Sequence, residues 1–217
     1  MIIGLLNQKG GVGKTTLAVS IAHELSRRCG GDGVLLVDAD PQQSALNWSD
    51  VRDSDLPFSV VGMAKNSLHR DLQSISKNYR YTVIDSAPRV TSLVRSCIMA
   101  SDVAIIPCTP SPYDVWASKE TVDLVKDASL FKENLKCYFT INRKITNTAI
   151  GRDVVAALDD MDVEVLTTHV SQRIVFAEAA SSGRTVFDVD EKSKAANEII
   201  LLVDQILSKG GCNGKKD

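Results

Sequence analysis

The strongest constraint in this chain is a glycine-rich loop close to its start. An apolar, β-branched run (residues 1–6) leads into Gln8-Lys9-Gly10-Gly11-Val12-Gly13-Lys14-Thr15-Thr16, and a helical pattern follows at once. Glycines allow the backbone to turn so tightly that its N–H groups point inward at a polyphosphate. The helix that follows adds its N-terminal partial positive charge. Lys14 is placed to reach the β- and γ-phosphates and the Thr15 hydroxyl to ligate Mg2+. The nucleotide-binding loop is therefore assigned to Lys9, Gly10, Gly11, Val12, Gly13, Lys14, Thr15 and Thr16.

Beyond the loop, short β-branched runs alternate with helical stretches. Strands are predicted over residues 2–7, 34–38, 58–61, 81–85, 103–107, 136–141 and 165–169. Helices are predicted over 15–29, 42–49, 68–77, 92–100, 115–129, 150–161, 175–181 and 192–208. Several strands are nearly all apolar, as parallel strands covered on both faces should be. The alternation reads as βαβ units, hence an α/β fold with a doubly wound, mostly parallel sheet and helices on both faces. With 217 residues and 44% hydrophobic content, one domain over 1–208 buries a sizeable core, and 209–217 reads as a flexible tail.

Composition excludes several classes. The longest apolar runs, 103–107 and 199–203, are too short to span a bilayer, and no charged leader precedes the first strand, so no signal peptide is expected. Five cysteines lack CxxC or CxxH spacing, which points to reduced thiols in a cytoplasm, without disulfides or zinc. A net charge of -2 provides no global basic field, so any nucleic-acid binding must come from a local patch or one assembled on dimerisation.

Ligands of doubly wound sheets sit beyond the carboxyl ends of strands, which singles out acids placed there. Asp38 and Asp40 close one buried strand at i, i+2 spacing, so both can face the nucleotide. Pro41 beside them also suits a helix start. Asp85 closes a second apolar strand, before Ser86-Ala87-Pro88-Arg89.

In the general Walker A pattern the loop opens on glycine; here that position is Gln8, with Lys9 and Gly10 next. This is the deviant Walker A form, and over residues 1–207 the sequence resembles the ParA/MinD family of partitioning ATPases, short type, with no helix-turn-helix domain expected before Met1. The resemblance implies ATP and Mg2+ as cofactors and slow, partner-stimulated ATP hydrolysis. It also implies roles: Lys9 reaching the partner subunit's phosphates in a nucleotide-sandwich homodimer, Asp40 orienting the attacking water, Asp38 supporting the Mg2+ shell through hydrogen bonds, and Asp85 holding a Mg2+-bound water. Residues 86–88 would form a second switch, with Arg89 either structural or functional. Asn142 either recognises the adenine edge or caps the following turn. The proline-rich stretch around Pro107, Pro110 and Pro112 either lies near the dimer face or is a plain stiff loop.

By the same resemblance Arg173, Arg184, Lys192 and Lys194 are candidates for non-specific DNA contact, with Arg143, Lys144 and Arg152 extending the patch. The implied function is an ATP-driven organiser, cytoplasmic and nucleoid-associated, that segregates a plasmid or chromosome region through a ParB-like or other cargo-adaptor protein. Positioning of a protein cargo such as a carboxysome or chemoreceptor cluster is the alternative. A MinD-like membrane-associated regulator is a further one, but Glu198 and Asp204 interrupt the polar face of the last helix and its basic residues are few. An iron protein on the same fold needs paired bridging cysteines, and Cys97 and Cys108 lack the glycine-rich surroundings.

Overall fold

The chain is described by a computed structural model over residues 1–30, 33–145 and 150–211, with backbone alone at 150–153. The side chain of Arg152 and most of the expected tail lie outside the described residues. Seven strands, β1 (Ile2–Leu5), β2 (Val34–Ala39), β3 (Ser59–Gly62), β4 (Tyr81–Ser86), β5 (Val103–Cys108), β6 (Lys136–Ile141) and β7 (Glu164–Val165), form one sheet in the order β3-β2-β4-β1-β5-β6-β7. Every pairing is parallel. The helices are α1 (Lys14–Cys29), α2 (Ser44–Asp50), α3 (Leu68–Ile75), α4 (Thr91–Ala100), α5 (Pro112–Ser129), α6 (Ile150–Asp159), α7 (Ile174–Ala180), α8 (Val186–Asp190) and α9 (Lys194–Gly210).

Strand alternation divides the core between the two faces. Val34 and Leu36 of β2, with Ile3, Leu5, Val103 and Ile105, pack beneath α1, α2, α8 and α9. Leu35, Val37 and Ala39 of β2, with Ile84 and Ala104, pack beneath α3, α4 and α5. A third cluster joins Ile106, Phe139 and Ile141 to α5 and α6. The order places β1 in the centre, so the loop after it emerges between the ends of β4 and β5, where doubly wound sheets bind ligands.

Several predicted boundaries move. The last helix begins at Lys194, since Ser193 caps it by accepting from the Ala196 N–H at 3.1 Å, so Lys192 precedes it. It also runs to Gly210, so Lys209 and Gly210 belong to the folded unit and not to a tail; Gly210 packs so closely on Met1 that an added Cβ would lie 2.1 Å from Met1 Cε. The seventh strand is two residues long, because 166–169 leave the ladder. There the Leu166 N–H still donates to the Phe139 carbonyl, but Thr168 bonds the Gln205 side chain. α2 starts at Ser44, not at Gln42 behind Pro41, since Gln43 is left-handed at φ 55°. The unpredicted α8 opens with a capping box of Thr185 and Asp188.

Candidate nucleotide-binding site

The loop is shaped before any ligand is considered. Gly13, the residue before α1, has φ 91°, and a Cβ there would meet the Asn142 amide nitrogen at 2.3 Å. Glycine is thus required twice, for the left-handed backbone and for the close approach. Asn142, at the end of β6, donates to the Val12 carbonyl at 2.8 Å and so clasps the loop from the neighbouring strand. On the other side, Asn7 donates to the Pro107 carbonyl at 2.8 Å, and its Oδ1 accepts from the Lys9 N–H at 2.9 Å.

Lys14 is only 6% exposed. Its ammonium donates to the Asn7 and Lys9 carbonyls, at 2.9 and 3.1 Å. Burial lowers its pKa, with the charges of Asp85 and Asp40 opposing that shift. The predicted loop cation and two of the three predicted acids are therefore one electrostatic unit.

Register sets the acids side by side: Asp38 of β2 pairs with Asp85 of β4. Asp38 already has three partners, since its carboxylate accepts from the backbone N–H groups of Asp40 (3.0 Å), Ala45 (2.8 Å) and Leu46 (3.0 Å). It anchors the start of α2, and burial still raises its pKa despite those bonds. Asp40 is half-buried on the loop rim, its Oδ1 accepting from the Gln42 N–H. Asp85 is the opposite case: fully buried, with neither oxygen in a well-formed hydrogen bond among the described residues. Desolvation pushes its carboxyl up to about 7, although the nearby Thr15 hydroxyl and Lys14 favour the anion; Asp38 and Asp40 add to the rise.

An unsatisfied buried carboxylate is costly and is normally compensated by a cation or a proton. Next to a threonine hydroxyl at a helix N-terminus, Asp85 offers the hard oxygen ligands that suit Mg2+. The donor set fits the metal: Thr15 and Asp85 would hold it, and Asp38 keeps the surrounding backbone in place.

Thr16, Asn142, Arg143, Lys144, Gln172 and Arg173 line a cavity of about 670 Å3 beside the loop, ample for a base and sugar. Asn142 faces it, but its amide N–H is committed to the loop. Three left-handed residues surround the site: Gln43, Arg89 (φ 57°) and Arg143 (φ 54°). Non-glycine residues there are strained and cluster at functional loops. Arg89 is therefore in a tight turn two residues before α4, its N–H on the Gln8 carbonyl at 3.1 Å. Gln and Arg, unlike Gly, Asn and Asp, carry no preference for positive φ, which is why sequence reading missed this feature.

Lys9 is at the rim, paired with the buried Asp114 of α5. Tyr113 and Trp116 on the same turn are 72% and 67% exposed and pack edge to face. Cys97 and Cys108 are buried, their thiols pushed up to about 12 and about 11 by desolvation.

The model of the CobQ/CobB/MinD/ParA nucleotide-binding domain matches residues 3–186. The chain belongs to this family. A curated member, maintenance of carboxysome distribution protein A of Halothiobacillus neapolitanus, is 30% identical over 209 residues, covering 94% of this chain and 95% of that protein. Among solved structures, MinD of Pyrococcus horikoshii complexed with Mg-ADP superimposes with TM-score 0.75 at 21% identity, over 99% of this chain and 98% of that one. A Cyanothece McdA–ATP complex does so with TM-score 0.75 at 15% identity, over 100% and 98%. At these identities the two structures share the family's fold.

The four DNA candidates differ in how far the fold already engages them. Arg173 donates to Glu198 at 2.7 Å, and Glu198 also accepts from Ser171. Arg184 makes a long contact with Asp53, at 3.4 Å. Lys192 and Lys194 are exposed, and neither ammonium has an ion-pair partner among the described residues. Arg173 is therefore tied into the fold, while Arg184, Lys192 and Lys194 lie exposed at the surface.

Proposed function

We propose that this chain is an ATP hydrolase that works as a nucleotide-sandwich dimer, coats DNA without sequence preference and positions a cargo through a partner protein that stimulates hydrolysis. The observation that carries the hydrolase part of this reading is the unsatisfied buried Asp85 carboxyl beside Thr15 and within the field of the buried Lys14. Bound Mg2+ would neutralise charge on the phosphates. The chain's own residues do the rest. Backbone N–H groups of 10–16 hold the phosphates, Lys14 meets developing charge, and Asp40 orients the attacking water from the rim. Such chemistry is positioning and electrostatics, with little for a strong base to do. In a dimer, Lys9 would add its charge across the interface.

The cargo we propose is a protein assembly of the carboxysome kind, supported by the similarity to carboxysome distribution protein A along nearly the whole chain. A plasmid or chromosome region, the cargo that the family resemblance implied, is the second reading. A membrane-surface role for α9 has less support: Ala195, Ala196, Ile199, Leu202, Val203 and Ile206 are buried in the core. No helix among the described residues is long and apolar enough to cross a membrane.

The test is binding to unrelated double-stranded DNA with ATP, with ADP and without nucleotide, at two salt concentrations. The reading requires tight, salt-sensitive binding with ATP alone. Binding in no state removes the nucleoid from the account and turns attention to liposomes.

A further inference from the structure

Lys9 is pinned by its backbone at both ends. Its N–H donates to Asn7 Oδ1 at 2.9 Å, and its carbonyl accepts from Lys14 at 3.1 Å. Only the side chain has freedom, and in the single subunit it turns inward to Asp114. Asp114 is 4% exposed, and its second oxygen accepts from the Thr109 hydroxyl. Lys9 itself keeps about a third of its side chain open to solvent (35%), on the wall of a cavity of about 350 Å3 shared with Gly10, Gly11, Ser111 and Arg143. The lysine thus stands between two sites: a buried carboxylate of its own subunit and the open rim of the loop.

We infer that Asp114 is a positioning residue for Lys9, holding the ammonium inside its own subunit without ATP and thereby setting how much ATP two subunits need to join. The inference rests on the proposed sandwich dimer, in which the same ammonium serves the opposite subunit's phosphates. A charge-assisted bond to a buried carboxylate must break before that happens, and such bonds are about twice as strong as neutral ones. Release is not prohibitive. Asp114 sits in the first turn of the 18-residue α5, where the helix dipole stabilises an anion, and Thr109 remains bonded to it. The pair therefore works as a threshold and not as a permanent lock.

Asp114→Asn keeps the size of the side chain and its bond to Thr109 while removing the charge. Two readouts are needed: the rate of Lys9 acetylation in nucleotide-free protein, by peptide mass spectrometry, and the concentration of a non-hydrolysed ATP analogue giving half-maximal dimer in ultracentrifugation. The expectation is acetylation about ten-fold faster, a half-maximal concentration about ten-fold lower (~1.4 kcal/mol), and unchanged ADP affinity. A purely structural Asp114 would not lower the analogue requirement. Equal acetylation rates in the two proteins overturn the inference. So does faster acetylation with an unchanged midpoint, and in that case a wild type that still dimerises leaves the dimer reading intact. If neither protein dimerises at saturating analogue, the dimer reading itself has failed and the inference falls with it. Should Asp114→Asn lose its cooperative melt, the wild type decides: Lys9 acetylated as fast as the exposed Lys192 overturns the pairing, and slower acetylation supports it.

Discussion

Asp85 is where burial and function pull hardest against each other. Its carboxyl is raised to about 7 in the fold, from 3.8 in an exposed chain. Between those values the folded state holds a proton that the unfolded state has released, so stability falls as pH rises from about 4 to about 7. The full difference is roughly 4 kcal/mol by linkage at 1.36 kcal/mol per pH unit. Asp85→Asn removes the titration. Nucleotide-free Asp85→Asn is expected to be more stable than wild type at pH 8, with the gap closing towards pH 4, while ATP turnover is lost; chemical denaturation across that range measures it. Loss of stability at pH 8 would show that Asp85 is compensated in some other way. Residue roles were unequally legible. Lys14, Thr15 and Asp85 follow from local motif chemistry, but two of the three amides on Asp38 come from a helix start seven and eight residues downstream. The clasp from Asn142 to Val12 spans 130 residues, and no local pattern encodes it.

At the scale of elements, α2 links the acid at the end of β2 to the region around α8. Its first turn hangs on Asp38, and its far end and the residues just after it are held to α8 and the segment before it. Trp48 Nε1 donates to the Arg184 carbonyl at 3.2 Å, Arg52 donates to the Gly183 carbonyl at 2.9 Å, and Arg52 pairs with Asp188 at 2.7 Å. Gly183 allows this approach: its φ is +64°, and a Cβ would come within 2.7 Å of the Arg52 backbone. Gly183→Ala should cost about 2 kcal/mol or more, from left-handed strain plus the clash. For a domain of this size that lowers Tm by roughly 5 °C, which calorimetry reads directly; an unchanged Tm would mean the two segments part easily. The long helices were legible because periodicity and caps accumulate over many turns. The short α8 was missed although its Thr185-x-x-Asp188 box is a recognisable start, since five residues carry too little periodicity to stand out.

At the scale of the whole molecule, the proposed dimer and its DNA surface make two further predictions. Lys9→Ala should abolish ATP-dependent dimerisation while each subunit still binds nucleotide through Lys14; sedimentation with a non-hydrolysed analogue decides, and unchanged dimers would remove the trans lysine from the mechanism. Lys192→Glu with Lys194→Glu should weaken DNA binding in the ATP state and flatten its salt dependence by about one slope unit for every DNA phosphate that is no longer neutralised. Arg173→Ala should instead act on the fold, because it leaves Glu198 short of a partner. An unaltered salt slope in the double lysine variant would move the DNA surface elsewhere.

The sequence alone determined the phosphate loop, the α/β class and the acids at strand ends, because each depends on neighbours a few residues apart: a turn, an alternation, a helix start. The tertiary structure alone decided the strand order, the pairing of Lys9 with Asp114, the clasp of Asn142 on the loop and the pairing of Arg173 with Glu198. Those features depend on which strands lie side by side. That order is set by packing of apolar faces across the whole sheet, and no local stretch of the chain contains it.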